Sequence, residues 1–244
     1  MTRIFTSLLF ISFFLINSLS LRAQTVVTIS TPYFQDFGVP GCTMPANWQN
    51  LGPEFWQFRN FSNTYMQGGD HTTGTTCFAN IDDSGGGGNP VGNLISETFD
   101  LTALSAATLR FWWQNSNGTS SSPAPSGNPW MELRIDVSTN GGATYTNDIL
   151  VLGNEQVGWA EATVDITPFI SANTRIRFRG IETNSFRSDL SLDDVEVFQP
   201  PASDVGVTAL NGPIGTCNTG IENIDVTIGN FGALPATNFD VTYI

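Results

Sequence analysis

The stretch Leu190-Ser191-Leu192-Asp193-Asp194-Val195-Glu196-Val197-Phe198 decides how this chain folds. Leu190 and Leu192 alternate with Asp189 and Ser191, the period of a strand with one buried face. After the two aspartates the apolar residues are Val195 and Val197, which have the opposite parity. Strand side chains alternate with period 2, so both pairs reach one core only if an extra residue is inserted between them. The pattern therefore predicts a β-bulge at Asp193-Asp194. A bulge that turns out carboxylates beside a buried strand is a natural place for a hard cation such as Ca²⁺.

Upstream of this strand the chain reads as the rest of a sheet that it completes. Ile176 and Phe178 alternate with Arg175, Arg177 and Arg179, and Ala160, Ala162, Val164 and Ile166 form another alternating run. In the clearest strand Met131, Leu133, Ile135 and Val137 point inward, with Glu132, Arg134, Asp136 and Ser138 outward. Thr139-Asn140-Gly141-Gly142 then supplies a hairpin turn. Leu109, Phe111 and Trp113 alternate with Arg110, Trp112 and Gln114; aromatic residues on both faces predict a central strand or one beneath a covering loop. Ile95, Phe99 and Leu101 share parity, interrupted by Glu97, and shorter runs surround Trp56 and Phe58, Tyr33 to Phe37, and Val26 to Ile29. Residues 82–93, with four consecutive glycines, and the Ser/Gly/Pro/Asn tract 115–129 read as loops. Low charge, many short apolar runs and abundant turn residues mark an all-β protein.

The pattern restarts after Pro200-Pro201, with Val205, Val207 and Ala209, then Ile224, Val226 and Ile228, then Phe239, Val241 and Tyr243. These resemble three strands of an immunoglobulin-like sandwich, which needs about seven, so the sequence is expected to be a fragment. The organisation expected is a signal peptide at 1–24, a jelly-roll β-sandwich at 25–199, a linker at 200–203 and an incomplete immunoglobulin-like β-sandwich at 204–244. Arg3, the apolar run Ile4 to Leu21 and Leu21-Arg22-Ala23 have the layout of a cleaved secretory signal. An uncleaved anchor is the alternative, because the run approaches a membrane span in length. No later stretch could span a bilayer, so no membrane insertion is expected once the signal is removed.

The formal net charge is −13, and the only basic residues are nine arginines. That excludes nucleic-acid and anionic-membrane partners, which require a basic footprint. The three cysteines are Cys42, Cys77 and Cys217. In an oxidising compartment Cys42 and Cys77 could pair within the first domain, and the partner of Cys217 is expected beyond the last residue.

Little in the sequence supports catalysis. His71 is the sole histidine and lies in a Gly/Thr-rich loop, and neither a Gly-x-Ser-x-Gly elbow nor a His-Glu-x-x-His helix is present. The chain is read as a non-enzyme. Trp56, Trp112, Trp130 and Trp159 could form a sugar-stacking platform or pack in the core; Trp112 and Trp130 flank the 115–129 loop and are the better surface candidates. Arg175, Arg177 and Arg179 could grip an acidic ligand through forked hydrogen bonds, or pair across strands with acids such as Glu161 or Asp165.

Several of these segments, taken in order, resemble a known family. They are Phe34-Gln35-Asp36-Phe37, Pro45 to Trp48, Leu94-Ile95-Ser96 with Phe99-Asp100-Leu101, the strand around Phe111, Val137 to Gly142, and Leu192 to Val197. Together they resemble the MAM-like or cleaved-adhesin jelly-roll modules of large secreted bacterial proteins, often cargo of type IX secretion. Ser96-Glu97 stands where that family usually has Ser-Pro. The segment from Ala202 resembles the start of a CARDB-like repeat. The resemblance implies a secreted or cell-surface module that binds a glycan or an extracellular protein, or acts as a structural spacer, with further domains in the same chain. A place beside a secreted protease or glycosidase domain is also implied. It further implies a structural calcium site drawing on the first strand, a mid-domain acidic loop and the final strand, matched here by Asp36, Asp82, Asp83, Asp193 and Asp194. Ser138 to Tyr145 resembles the Asp-box hairpin of sialidase-type propellers, with Asn for Asp and Tyr for Trp; one copy implies only a structural turn.

Overall fold

Alternating stretches become strands of two packed sheets in a computed structural model of the chain, described over residues 24–53, 56–60, 68–82, 90–116, 130–182, 189–212, 224–232 and 234–242. The expected signal segment up to residue 23, Asp83 and Cys217 lie outside those residues. The strands in chain order are β1 (Thr25–Val26), β2 (Tyr33–Gln35), β3 (Gln49–Leu51), β4 (Gln57–Arg59), β5 (Phe78–Asp82), β6 (Val91–Ile95), β7 (Phe99–Asp100) and β8 (Thr108–Ser116). They continue with β9 (Glu132–Ser138), β10 (Thr146–Leu152), β11 (Gln156–Asp165), β12 (Arg175–Ile181), β13 (Asp189–Phe198), β14 (Val205–Leu210) and β15 (Val226–Asn230). One 3₁₀ turn, Thr167–Phe169, links β11 to β12.

The first sheet runs β10-β9-β12-β6-β3 and the second β11-β8-β13-β5-β4, with β2 also on β13. Every pairing in these two sheets is antiparallel. The result is an all-β sandwich of the jelly-roll kind. Inward residues of both sheets form one core, in which Phe111 of β8 meets Phe178 of β12 edge to face at 5.5 Å. Such a pair adds about 1 kcal/mol beyond its buried area. Gly180 of β12 faces the same core, where an added Cβ would come within 2.4 Å of Ile81 Cδ1. A side chain at that crossing of the sheets would force Ile81 to move.

β13 lies at the centre of the second sheet. Asp193 stands opposite Trp112 and Glu196 opposite Arg110, so β13 holds one more residue than β8 across this step. Asp194 takes the extra place with φ 47°, a left-handed conformation that aspartate tolerates better than β-branched residues do. The bulge read from the sequence is therefore present, and Leu190, Leu192, Val195 and Val197 are all fully buried. The other edge of β13 changes partner at the same point: β5 pairs with residues 189–192 and β2 with 195–197.

Three strands were not expected from the sequence: β3, β5 and β10. The loop expected over 82–93 is shorter than that, since Asp82 ends β5 and β6 begins at Val91. Pairing of Val91, Gly92 and Asn93 with Ile181, Gly180 and Arg179 outweighs the low strand propensity of this glycine-flanked segment. The segment around Ile95 and Leu101 is likewise two strands, β6 and β7, broken at Ser96 to Thr98. Beyond the linker, β14 and β15 pair antiparallel, and none of their residues is buried.

Candidate functional site

The bulge carboxylates face outward from the second sheet and hold the loop 68–77 against it. Asp193 Oδ2 accepts from the His71 amide at 2.8 Å, and its Oδ1 accepts from the Asp194 amide at 2.9 Å. Asp194 Oδ2 lies 2.6 Å from His71 Nδ1, and the Thr72 hydroxyl donates to both of its oxygens. Asp70 organises the loop from within: its carboxylate accepts from the amides of Thr73 and Thr76 at 2.8 and 2.6 Å. The His71 ring stacks on Trp112 at 3.7 Å, and Trp159 meets it edge-on while donating Nε1–H to the Gly69 carbonyl. The Cys42–Cys77 disulfide anchors the far end of the loop.

Asp193 and Asp70 are shifted in opposite directions. Burial pushes the Asp193 carboxyl up to about 8; the His71 and Asp194 amides oppose the rise, and the charges of Asp194 and Asp70 add to it. Burial also works upward on Asp70, but its bonds from Thr73 and Thr76 hold it below the usual carboxylate range. Around the loop the outward face of the sheet is polar yet buried: Asn80, Gln114 and Ser191 have no exposed surface and Asp189 almost none.

Of the five expected cation ligands, Asp193 and Asp194 share the bulge, while Asp36 and Asp82 stand elsewhere along β13. Asp82 stands opposite Asp189, four residues along β13 from Asp193, or about 13 Å, and pairs with Arg59 at 3.3 Å. Asp83 lies outside the described residues. Asp36 follows β2 directly, on the side of β13 where Gln35 meets Val195; it is exposed and accepts from the Gly38 amide. Asp70, missed in the sequence, joins Asp193 and Asp194 instead; its only local signal is the turn-forming spacing to Thr73. Among the described residues no three His, Cys, Asp or Glu side chains converge to hold a metal ion.

The arginine stripe pairs across strands, but with Asp136 and Asp148 rather than Glu161 or Asp165, which belong to the opposite sheet. Arg177 and Arg179 both donate to the fully buried Asp136, at 2.8 and 3.0 Å, and Arg179 also reaches Asp148. Burial would raise the Asp136 carboxyl, but the two guanidinium groups and the Asp148 amide hold it below its ordinary value. Arg175 donates to the Thr98 hydroxyl, and Tyr145 lies 4.0 Å from the Arg177 guanidinium. Of the tryptophans, Trp56 is buried and donates to the Gly92 carbonyl, while Trp112 and Trp159 enclose His71. Trp130 is half-buried just ahead of β9, as Trp112 is on β8. His71 itself anchors the loop.

The MAM domain family (meprin/A5/mu) matches residues 36–202. Among solved structures, the K2 cleaved adhesin domain of Lys-gingipain superposes with a TM-score of 0.51 at 16% identity, covering 70% of this chain and 99% of that one. The K1 cleaved adhesin domain of Lys-gingipain from Porphyromonas gingivalis W83 gives 0.49 at 19% identity, covering 68% and 97%. The likeness to the K2 domain bears on the fold alone. No curated relative matches the chain.

Proposed function

That the chain belongs to the MAM domain family is the premise from which we propose that it is a non-catalytic extracellular module that binds a glycan or an extracellular protein, beside further domains of its own chain. Disulfides persist in oxidising compartments, so the Cys42–Cys77 bridge supports the exported location. The observation that carries the binding reading is the outward face of the second sheet. There a loop is fixed by a disulfide, two carboxylates and an aromatic stack, on a face that also carries the buried Asn80, Gln114 and Ser191. A spacer needs only a solvated outer face, whereas recognition needs loops held rigidly on a scaffold.

Calcium stays in this proposal as a counter-charge beside Asp193 and Asp194, the two expected ligands that the bulge itself presents. The spacer reading draws support from the arginines, which are engaged by Asp136 and Asp148 and so do not offer a free basic grip. Applying the full chain to glycan and extracellular-matrix protein arrays separates the two. Saturable binding weakened by His71→Ala, which releases the loop, is expected; no binding on either array makes the chain a spacer.

A further inference from the structure

Each sheet of the sandwich ends in two edge strands, and exposed edges invite pairing with another chain. Three of the four are blunted. β3 and β4 have three residues each. β10 is irregular between Thr146 and Leu150, where Asp148 has φ 59° and turns its amide onto Asp136. β11 is longer: of its ten residues the first part shifts register between Gln156 and Ala160, where Gly158 has φ 74°, but from Ala160 to Asp165 its register with β8 is unbroken. On its other side no described residue pairs with it. About half of such an edge strand's N–H and C=O groups point away from its neighbour.

The side chains on this edge select the partner. Ala160, Ala162 and Val164 face inward and are only half-buried, so an added strand would cover them. Glu161, Thr163 and Asp165 face outward and are exposed. Together with Asp204, Asn230 and Phe231 they line a groove of about 750 Å³. The cation on this face, Arg110, is already paired with Glu196, which leaves Glu161, Asp165 and Asp204 to make the groove acidic. A second copy of the chain is a poor occupant. Antiparallel pairing of two β11 strands about Thr163 sets Glu161 against Asp165 twice, and like charges directly opposite are destabilising.

We propose that the free edge of β11 and the acidic groove beside it form a docking strand for an extended basic polypeptide segment. The segment adds antiparallel to the second sheet, with Lys or Arg opposite Glu161 and Asp165, a β-branched residue opposite Thr163 and small apolar residues between them. This rests on the reading of the chain as a binding module but uses a different surface from the 68–77 loop. Array binding that depends on His71 therefore stands or falls separately.

The test titrates the peptide Val-Arg-Val-Thr-Val-Arg-Val, capped at both ends, into the ¹⁵N-labelled full chain. Saturable amide shifts centred on residues 160–165 are expected, weakening as salt is raised. The doubly charge-reversed variant E161K/D165K should bind roughly tenfold more weakly, and a peptide N-methylated at alternate amides should not bind at all. The N-methylated control alters only the peptide, so it reads strand addition without disturbing the fold. Absence of shifts at millimolar peptide overturns the proposal. So does binding that survives both charge reversal and N-methylation, or sedimentation showing wild-type chains already paired through β11.

Discussion

Asp193 is a carboxyl group with no exposed surface, flanked by the charges of Asp194 and Asp70. Folding raises it from an ordinary 3.8 to about 8. A group raised on folding stabilises the native state fully below its unfolded value, and that contribution is lost as pH rises to its folded value. The native state should therefore lose stability between about pH 4 and pH 8, by up to about 1.4 kcal/mol per pH unit from this group. Denaturant unfolding in chelator at steps across that window would show it. Asp193→Asn cannot ionise and gives up one acceptor, so it should begin about 1 kcal/mol less stable but with a flatter profile. Parallel profiles for the two proteins would contradict the assignment. Added calcium should flatten the wild-type profile if the ion sits against these carboxylates, and an unchanged profile removes it from the proposal. Asp136 is equally buried but lies between Arg177 and Arg179 and is shifted in the opposite direction. The neighbours, more than burial, decide which way a buried carboxyl moves.

At the scale of elements, the loop 68–77 depends on its tether. The Cys42–Cys77 bridge spans a sequence separation of 35, for which the chain-entropy model gives about 3–4 kcal/mol. The double substitution Cys42→Ser and Cys77→Ser should lower the melting temperature by roughly 10 °C. Unchanged melting after export to an oxidising compartment would show that the bridge carries no stability. Much of this element was legible from local pattern: the parity switch at Asp193-Asp194 required a bulge, and the cysteines offered a pairing. The remainder depends on partners far away in sequence. β5 carries Asn80 in a short run whose strand character comes from Ser191 and Leu190, over a hundred residues on. β3 reads Gln49-Asn50-Leu51 and is a strand only because β6 lies beside it. Asp136 was legible as an outward residue of β9 but not as the anchor of two arginines, because that role is set by the register with β12.

For the whole molecule, β13 and its bulge tie both halves of the second sheet and the loop 68–77 into one cooperative unit. The pair β14–β15 stands apart from that core, with no buried residue. Regions with little buried contact open locally at low free energy, whereas core strands exchange their amides only on global unfolding. The most direct measurement is native-state amide hydrogen exchange over the full chain. The amides of His71, Thr73 and Thr76 are bonded to Asp193 and Asp70. They should open at the same free energy as those of β13 and β8, while β14 and β15 exchange earlier. If His71, Thr73 and Thr76 exchange orders of magnitude faster than β13, the bulge does not hold the loop and the two are not one cooperative unit.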